Sequence, residues 1–379
     1  MNKLIRFTGQ ALMLATVLYL ALAHQWYGIE KAAPIDGFCP FGGVVSFLKL
    51  VSTGEFVQRI YWGSIILMVI TVAMTMIFGR AFCGFICPLG TLQEWIRGIG
   101  RRMGFRKDRE LPTNLDKHLR YVKYATLILI MYLTYTTGEL IFRNYDPYVS
   151  LMHFGEEFEE KMFGYSILAL VLAAALVYKN FWCRYLCPLG GFYAIISRLK
   201  MFGIKRDAGS CIDCGKCNKA CPHGIEVQHA KVVDSVDCVS CMRCVESCPE
   251  DCLTASVGKN RIKSQSQLAT IVLGLFILLI GVTIAMGWWK AAPASNLIMA
   301  DGSIDVANIR GSNTLEYLIK TTGVPLEVFQ KELGIPEGVD EHMKLKMIGE
   351  KYGLKNSEGE PLEVEDFRKV VAEHVSSED

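Results

Sequence analysis

The sequence predicts a mainly α-helical protein, in which a membrane bundle of about five spans carries a small inserted α+β domain and ends in a small helical domain. Three observations predict this fold class. Five apolar runs are long enough to cross a bilayer. The pattern Cys-x3-Cys-Pro occurs twice, one hundred residues apart, which indicates an internal two-helix repeat. Two cysteine-rich runs, Cys211–Cys221 and Cys238–Cys248, lie between the fourth and fifth apolar runs.

The composition separates the chain from ordinary soluble proteins. Of its 379 residues, 51% are hydrophobic, and the mean hydropathy is positive, which is typical of a membrane protein. The chain has 14 cysteines. In a small secreted protein they would indicate disulfides, but eight of them lie in a motif that needs free thiolates. We therefore expect that part of the chain in a reducing compartment, the cytoplasm.

The five apolar runs each have about 20 residues, the length that crosses a hydrocarbon core of about 30 Å. The predicted spans are approximately Ile5–Ala23, Ile60–Gly79, Tyr121–Ile141, Tyr165–Trp182 and Leu268–Trp289. The first run also fits a cleavable signal peptide, because basic residues precede it and Ala21-Leu22-Ala23 ends it. We keep it as a helix because the repeat needs a partner for the second span.

Basic residues near the span ends predict the orientation of the chain in the inner membrane. Nine Lys and Arg residues lie between Arg80 and Arg120, and six more lie between Lys179 and Arg206, so both segments are predicted to face the cytoplasm. The other two loops have few basic residues and face outward. This orientation places the cysteine-rich runs in the cytoplasm, in agreement with the redox argument, and the segment after the fifth span outside.

The internal repeat aligns Phe82–Gly90 with Trp182–Gly190, and each unit reads as an outer loop, a span and a Cys-x3-Cys-Pro turn. On a helix, residues four apart lie on one face, so each pair could bind one side of a metal. If the two units are related by a pseudo-twofold axis, four sulfurs meet at the cytoplasmic membrane boundary. An iron-sulfur cluster, zinc, copper or a redox thiol pair would suit them. The four candidate residues are Cys83, Cys87, Cys183 and Cys187.

The two cysteine-rich runs follow the pattern C-x2-C-x2-C-x3-C-P, in which three thiolates of one run hold three corners of a cubane and the other run supplies the fourth. The sequence thus predicts a bacterial-type ferredoxin domain with two [4Fe-4S] clusters. Zinc knuckles and disulfides do not explain the Cys-Pro step in both runs. The predicted ligands are Cys211, Cys214, Cys217 and Cys248 for cluster 1, and Cys238, Cys241, Cys244 and Cys221 for cluster 2.

The segment after the fifth span is acidic and has no cysteine. From Pro293 onward it has 17 acidic and 9 basic residues, a net charge of −8. Helical periodicity from Thr314 to Ile335 is interrupted at two Gly-x-Pro sequences, and Glu341–Tyr352 predicts another short helix. We predict a small helical docking domain, and its charge excludes nucleic acid as a partner.

These features divide the chain into four predicted segments. They are a four-helix membrane domain at 1–200, the ferredoxin domain at 201–262, a fifth transmembrane helix at 263–290 and an acidic, extracytoplasmic helical domain at 291–379. Two single cysteines lie outside the motifs. Cys39 is expected in a structural turn, because the second repeat has Asp146 at that position, and Cys252 is expected to be a buried thiol.

The two Cys-x3-Cys-Pro turns followed by a twin-cluster run resemble the membrane polyferredoxin family, whose members include NapH-type, NosR-type and CcoG-type proteins. The resemblance covers about Ala33 to Ala255. It implies a multi-pass inner-membrane protein that passes electrons between a quinol pool or a cytoplasmic donor and a redox partner protein. Two departures leave the specific partner open: no NosR-like flavin domain precedes the spans, and the NapH type has no acidic tail.

We therefore predict an electron-transfer subunit in which the cofactors supply the redox chemistry and side-chain catalysis is not indicated. Two alternatives stay open. The first is a maturation protein that binds or reduces copper at the paired cysteines, and the second is a membrane redox sensor whose outer domain reports the cluster state. A quinone is a further candidate partner, because the sequence shows no haem-binding His pair within the spans.

Overall fold

The computed structural model describes residues 4–27, 39–53, 62–105, 111–137, 145–152, 162–289, 313–356 and 361–376, together with seven single residues at 142, 297, 304, 306, 309, 311 and 359. The chain forms two compact units. Unit 1 comprises 1–26 and 33–291, and unit 2 comprises 27–32 and 292–379. The predicted membrane and ferredoxin segments thus belong to one unit.

The part of unit 1 before the inserted domain contains ten helices among the described residues, arranged as two similar halves of five helices each. The first half has α1 Leu4–Tyr27, α2 Pro40–Thr53, α3 Trp62–Phe78, α4 Ala81–Phe85 and α5 Pro88–Arg102. The second half has α6 Thr113–Thr137, α7 Pro147–Met152, α8 Met162–Ala175, α9 Phe181–Tyr185 and α10 Pro188–Ile196. Each repeat is therefore a four-helix unit, α2–α5 or α7–α10, rather than the two-helix unit expected from the sequence.

Helices α2 and α7 lie in segments that the sequence analysis treated as outer loops. A proline is well suited to the first position of a helix, and both helices begin with one, Pro40 and Pro147. The carboxylate of Asp146 accepts a hydrogen bond from the backbone N–H of Tyr148 at 2.8 Å. Helix α2 packs closely on α3 because Gly43 has no side chain, and a Cβ there would lie 2.2 Å from the Ser64 carbonyl oxygen.

Two described helices are long and apolar enough to cross a membrane, Ile5–Ala23 within α1 and Gln265–Ala285, which is α13. Two shorter apolar helices, Trp62–Phe78 and Met162–Ala175, correspond to the second and fourth predicted spans. The third predicted span overlaps α6, which ends at Thr137, and its last residues, 138–141, lie outside the described residues. The five-span arrangement therefore stays a prediction.

The inserted domain has a three-stranded antiparallel sheet and two short helices. The strands are β1 Phe202–Arg206, β2 Leu253–Val257 and β3 Asn260–Ile262, and the helices are α11 Lys216–Ala220 and α12 Arg243–Glu246. Strand β1 pairs with β2 from Phe202↔Val257 to Arg206↔Leu253, so the two ends of the domain meet in one sheet. Helix α13 then begins at Gln265, where the Ser264 hydroxyl accepts a hydrogen bond from the Gln267 backbone N–H.

Unit 2 contains four described helices around a core of its own. They are α14 Leu315–Thr322, α15 Leu326–Leu333, α16 Leu345–Tyr352 and α17 Val364–Ser376. The rings of Phe329 and Phe367, both fully buried, lie 6.1 Å apart in this core. The breaks at Gly323 and Gly334 fall where the sequence interrupts the periodicity, and both glycines adopt positive φ angles that end a helix.

Candidate iron-sulfur sites

The first group of ferredoxin cysteines lines one cavity at the surface of the inserted domain. Cys211, Cys214 and Cys217 come from the loop before α11 and from its first turn, and Cys248 comes from the end of the second run. The second run thus contributes one thiol to the group of the first run, as the cluster 1 prediction requires. A fifth thiol, Cys252, lies in the same cavity, with its sulfur 3.3 Å from the Cys248 sulfur.

The second group is buried. Cys221, Cys238, Cys241 and Cys244 are each less than 10% exposed, and their thiols influence one another electrostatically. Burial, together with the neighbouring Cys241 and Cys238, raises the pKa of Cys221 to about 11. The Ile225 backbone N–H donates a hydrogen bond to the Cys221 sulfur at 3.4 Å, an interaction that favours the thiolate. The structure thus brings together the four residues predicted for cluster 2.

The grouping of thiols from both runs is consistent with the local backbone. Gly215 before α11 and Met242 before α12 have φ angles of +67° and +55°. These left-handed residues turn each loop back over its own helix, so the first three cysteines of a run face one centre. The fourth cysteine of each run follows the short helix on its far side and faces the other centre.

The paired cysteines lie at a helix break rather than on one continuous helix, which corrects the expectation of a shared helical face. Helix α4 ends at Phe85, and Cys87 adopts an extended conformation, with φ −59° and ψ 118°, as the N-cap of α5. The second repeat does the same, since Cys187 has φ −63° and ψ 114°. The proline after each pair starts the next helix, which is its favoured position.

The two pairs nevertheless converge inside unit 1. The electrostatic neighbours of Cys187 include Cys183, Cys83 and Cys87, so the four thiols form one group, here named the four-cysteine site. Burial raises the pKa of all four thiols, that of Cys183 to about 12. Gln93 donates a hydrogen bond to the Cys183 sulfur, and the Gly190 backbone N–H donates one to the Cys187 sulfur, both at 3.3 Å.

A buried arginine supplies positive charge to the four-cysteine site. Arg80 is fully buried, and its electrostatic neighbours include Cys83, Cys187 and Cys183. Its Nη1 donates to Asp237 at 3.2 Å, whereas its Nε and Nη2 have no hydrogen-bond partner among the residues that the structure describes. Nη2 lies against Gly190, where a Cβ would approach it to 2.7 Å. Orphaned donors beside four buried thiols fit a negatively charged group held by those thiols.

Asp237, the residue before Cys238, joins the ferredoxin domain to the membrane helices. Its carboxylate pairs with Arg80, with Arg120 at 3.0 Å and with Lys123, and all four side chains are less than a fifth exposed. Burial opposes ionisation, but the charges of Arg80 and Lys123 hold the pKa of Asp237 below its ordinary value. A second carboxylate, Asp116, pairs with Arg120 and Arg184.

The loop that carries the second group touches the first Cys-x3-Cys-Pro turn directly. A Cβ at Gly84 would lie 2.5 Å from the Val239 carbonyl oxygen and 3.7 Å from the Cys241 Cβ. Gln10 donates to the Gly84 carbonyl oxygen at 3.2 Å, and Gln265 donates to the Cys241 carbonyl oxygen. The equivalent position in the second repeat is Arg184, whose guanidinium lies against Gly224 instead. The two repeats therefore differ: among the described residues, the backbone of the first lies against the loop of Cys238 and Cys241, whereas a side chain of the second lies against the segment after Cys221.

Sequence reasoning missed three residues of this region. Arg80 was counted only as loop charge and Lys123 was not counted. Cys252 is buried, as predicted, but its contact with Cys248 was not predicted. For Arg80 a signal existed, because it lies three residues before Cys83 whereas the second repeat has Asn180 at that position. For Cys252 the sequence has no comparable signal, since its approach to Cys248 depends on the turn that leads into β2.

The donor sets fit iron-sulfur clusters, because cysteine thiolates are the ligands that such clusters take. Among the residues that the structure describes, no three His, Cys, Asp or Glu side chains are arranged to hold one metal ion. None of the described cysteines forms a disulfide, as cluster binding requires.

Comparison with known families assigns iron-sulfur domains to the same segments. A family of 4Fe-4S binding domains matches residues 61–106 and again 161–206, and a 4Fe-4S dicluster domain family matches 203–249. The first two matches are one hundred residues apart and cover α3–α5 and α8–α10 of the two repeat units, which confirms the internal repeat. No solved structure matches the chain.

Three relatives show what this chain is similar to, and two of them are named as electron-transport or ferredoxin-type proteins. YccM of Escherichia coli, provisionally described as an electron transport protein, is 31% identical over 310 residues, which is 76% of this chain and 86% of the relative. The ferredoxin-type protein NapH of Escherichia coli is 29% identical, over 63% of this chain and 84% of the relative. NirI of Paracoccus denitrificans is 33% identical, over 48% of this chain and 27% of the relative.

The thiol groups, the repeat and these matches define a class, the ferredoxin-type electron-transport proteins with 4Fe-4S domains. Within that class, the chain belongs to the NapH-like membrane polyferredoxin family, as the resemblance of its cysteine motifs indicated.

Proposed function

We propose that this protein relays electrons between two cytoplasmic [4Fe-4S] clusters and a third redox centre at the four-cysteine site. Cys211, Cys214, Cys217 and Cys248 would hold cluster 1, and Cys221, Cys238, Cys241 and Cys244 would hold cluster 2. When bound, the clusters supply one-electron chemistry. The residues of the chain position the sites, exclude water from the second and third, and set their electrostatic surroundings.

The observation that carries the proposal is the contact between Gly84 and the cluster 2 loop. It places the backbone between Cys83 and Cys87 against Val239 and Cys241, with no side chain between them. Because Cys241 and Cys83 belong to two different thiol groups, this contact joins the groups directly through the backbone. In the second repeat the contact is made by a long side chain, Arg184, against Gly224, so we infer that electrons pass through the first repeat.

The surroundings of the four-cysteine site favour a bound group with net negative charge. The fully buried guanidinium of Arg80 lies beside the thiols. The N-terminus of α5 begins at Cys87 and that of α10 at Cys187, so two positive helix ends face the same group. A cluster held by four thiolates has a net negative charge, which this positive charge would stabilise.

The remaining parts of the proposal concern location and partners. We propose five spans in the inner membrane, with the ferredoxin domain in the cytoplasm and residues 291–379 outside, from the distribution of basic residues. A quinol pool or a cytoplasmic protein would donate electrons, and a respiratory redox protein would accept them. The acidic outer domain is the candidate docking surface for such a partner, because its net charge favours a basic surface.

The Gly84→Ala variant tests whether electrons pass through the contact between Gly84 and the cluster 2 loop. The new methyl group would lie 2.5 Å from the Val239 carbonyl oxygen, and ordinary contact begins at 3.4 Å, so the two segments must separate by about 0.9 Å. Freeze-quench electron paramagnetic resonance, after rapid reduction of the full-length protein without oxygen, should show slower reduction of the third centre with unchanged cluster content. Gly274→Ala is the matched control, because nothing lies within 4 Å of a Cβ at that position. Equal rates in both variants would refute the proposed route.

A further inference from the structure

A large basic cavity lies in unit 1 beside the ferredoxin domain, and none of the paired cysteines lines it. Its volume is about 730 Å³, within the range of ligand pockets. Its walls come from the beginning of α1, from the second half of α5, and from the segments next to Cys221 and Cys248. The function proposed above does not use this cavity.

The charge of the cavity points to an anionic ligand. Seven Lys and Arg side chains line it, against two glutamates. One of these, Glu94, already pairs with Arg6 at 2.5 Å and with Arg243. Counted over all the side chains that line it, the cavity has five more positive than negative charges. Phosphate is the anionic group that such a cluster of arginines and lysines binds best.

The position of the cavity points to a lipid. Arg6 lies at the first turn of the candidate span Ile5–Ala23. Phe7 lies one residue further and stacks on Trp95 with ring centroids 4.9 Å apart. Phe7 is 52% exposed and Ile99 is 51% exposed, so apolar side chains lie at the edge of the basic cavity. The indole N–H of Trp95 is buried and has no hydrogen-bond partner among the described residues. An apolar rim with an interfacial tryptophan is typical of the headgroup level of a bilayer.

We propose that this cavity binds the headgroup of an anionic phospholipid. The phosphate would lie among Arg101, Arg102 and Lys219, and the acyl chains would leave past Phe7 and Ile99. Because the cavity is bounded on one side by α1 and α5 and on the other by the ferredoxin domain, the lipid would hold that domain at the membrane surface. The inference rests on the membrane location proposed above, but not on the electron route.

The test uses the full-length protein in nanodiscs and native mass spectrometry of the protein released from them. With phosphatidylglycerol we expect one retained lipid per chain, and with phosphatidylcholine none. The variant Arg101→Gln/Arg102→Gln/Lys219→Gln should bind phosphatidylglycerol on the order of 100-fold more weakly, at about fivefold for each charge removed. The control Lys216→Gln/Lys259→Gln/Arg261→Gln removes equal charge from side chains that do not line the cavity and should change binding less than threefold.

Three outcomes would overturn the proposal. If both triple variants lose the same amount of phosphatidylglycerol binding, the lipid is held by general electrostatic attraction to the protein rather than by this cavity. Equal retention of phosphatidylcholine would mean that the headgroup charge is not recognised. If millimolar glycerol phosphate displaces the lipid and binds with the same affinity as the lipid, the cavity is a site for a soluble phosphate compound. Iron content, measured on the same samples, separates failure of this proposal from failure of the proposed electron relay.

Discussion

The substitution Asp237→Asn removes the charge that joins the ferredoxin domain to the membrane helices. The Asp237 side chain is 8% exposed, and its partners Arg80 and Lys123 are 0% and 1% exposed. Without the carboxylate, three cations would remain close together in a region from which water is excluded. Breaking a buried pair in this way costs about 3–5 kcal/mol. A change of that size lowers the melting temperature by on the order of 10 °C for a domain of this size.

The assay is thermal unfolding of the detergent-solubilised protein, followed by tryptophan fluorescence, with iron content measured before heating. Asp234→Asn is the matched control, because it makes the same change three residues away at an exposed side chain and should alter stability by about 0.5 kcal/mol or less. If Asp237→Asn lowers the free energy of unfolding by less than about 1 kcal/mol, the three cations do not depend on this carboxylate.

Three further predictions concern single side chains. The Cys248→Ser variant should keep part of its cluster 1 signal in electron paramagnetic resonance, because the Cys252 sulfur lies 3.3 Å from the Cys248 sulfur and can replace it as a ligand. The Cys248→Ser/Cys252→Ser variant should lose that signal. Equal spectra of the two variants would contradict a substitute role for Cys252. Burial raises the pKa of Asp146 to about 7, so the folded protein keeps a proton that the unfolded chain loses above about pH 4. The free energy of unfolding should therefore fall by about 1.4 kcal/mol for each pH unit as the pH rises from about 4 to about 7. In Asp146→Asn the melting temperature should depend less on pH across that range. If the pH dependence is unchanged in this variant, it comes from other groups. In Arg80→Gln the third centre should have a lower midpoint potential in a redox titration, since a nearby cation stabilises the more negative reduced form; an unchanged potential would separate Arg80 from the centre.

The cysteine spacing predicted how the ferredoxin thiols group, because the ligand pattern is encoded locally. Three cysteines of one run lie on one tight loop, and the fourth cysteine follows within four residues, so the short sequence determines which sulfurs face together. The repeat was equally visible, since Cys-Pro-Leu-Gly occurs in both halves at Cys87 and Cys187. Apolar runs predicted where helices lie but not how many cross the membrane.

Tertiary contacts could not be predicted in the same way. Asp237 meets Arg80 and Lys123 across sequence separations of more than one hundred residues, and nothing in the local sequence indicates such a pairing. Helix α2 was not predicted from the sequence for a different reason. Its two adjacent glycines, Gly42 and Gly43, lower helix propensity, and the helix forms because Gly43 allows close packing on α3. The break between Cys83 and Cys87 depends on Pro88, which starts a helix here rather than ending one.

The presence of a third redox centre is best tested by quantitative Mössbauer spectroscopy of iron-57-labelled protein prepared without oxygen. We expect eight iron atoms in two [4Fe-4S] clusters, plus further iron at the four-cysteine site. The Cys83→Ser/Cys183→Ser variant should lose that further iron and keep the other eight, and Cys39→Ser should keep all of it. Wild-type protein with no iron beyond the two clusters, or a double variant with unchanged iron, would contradict a third centre.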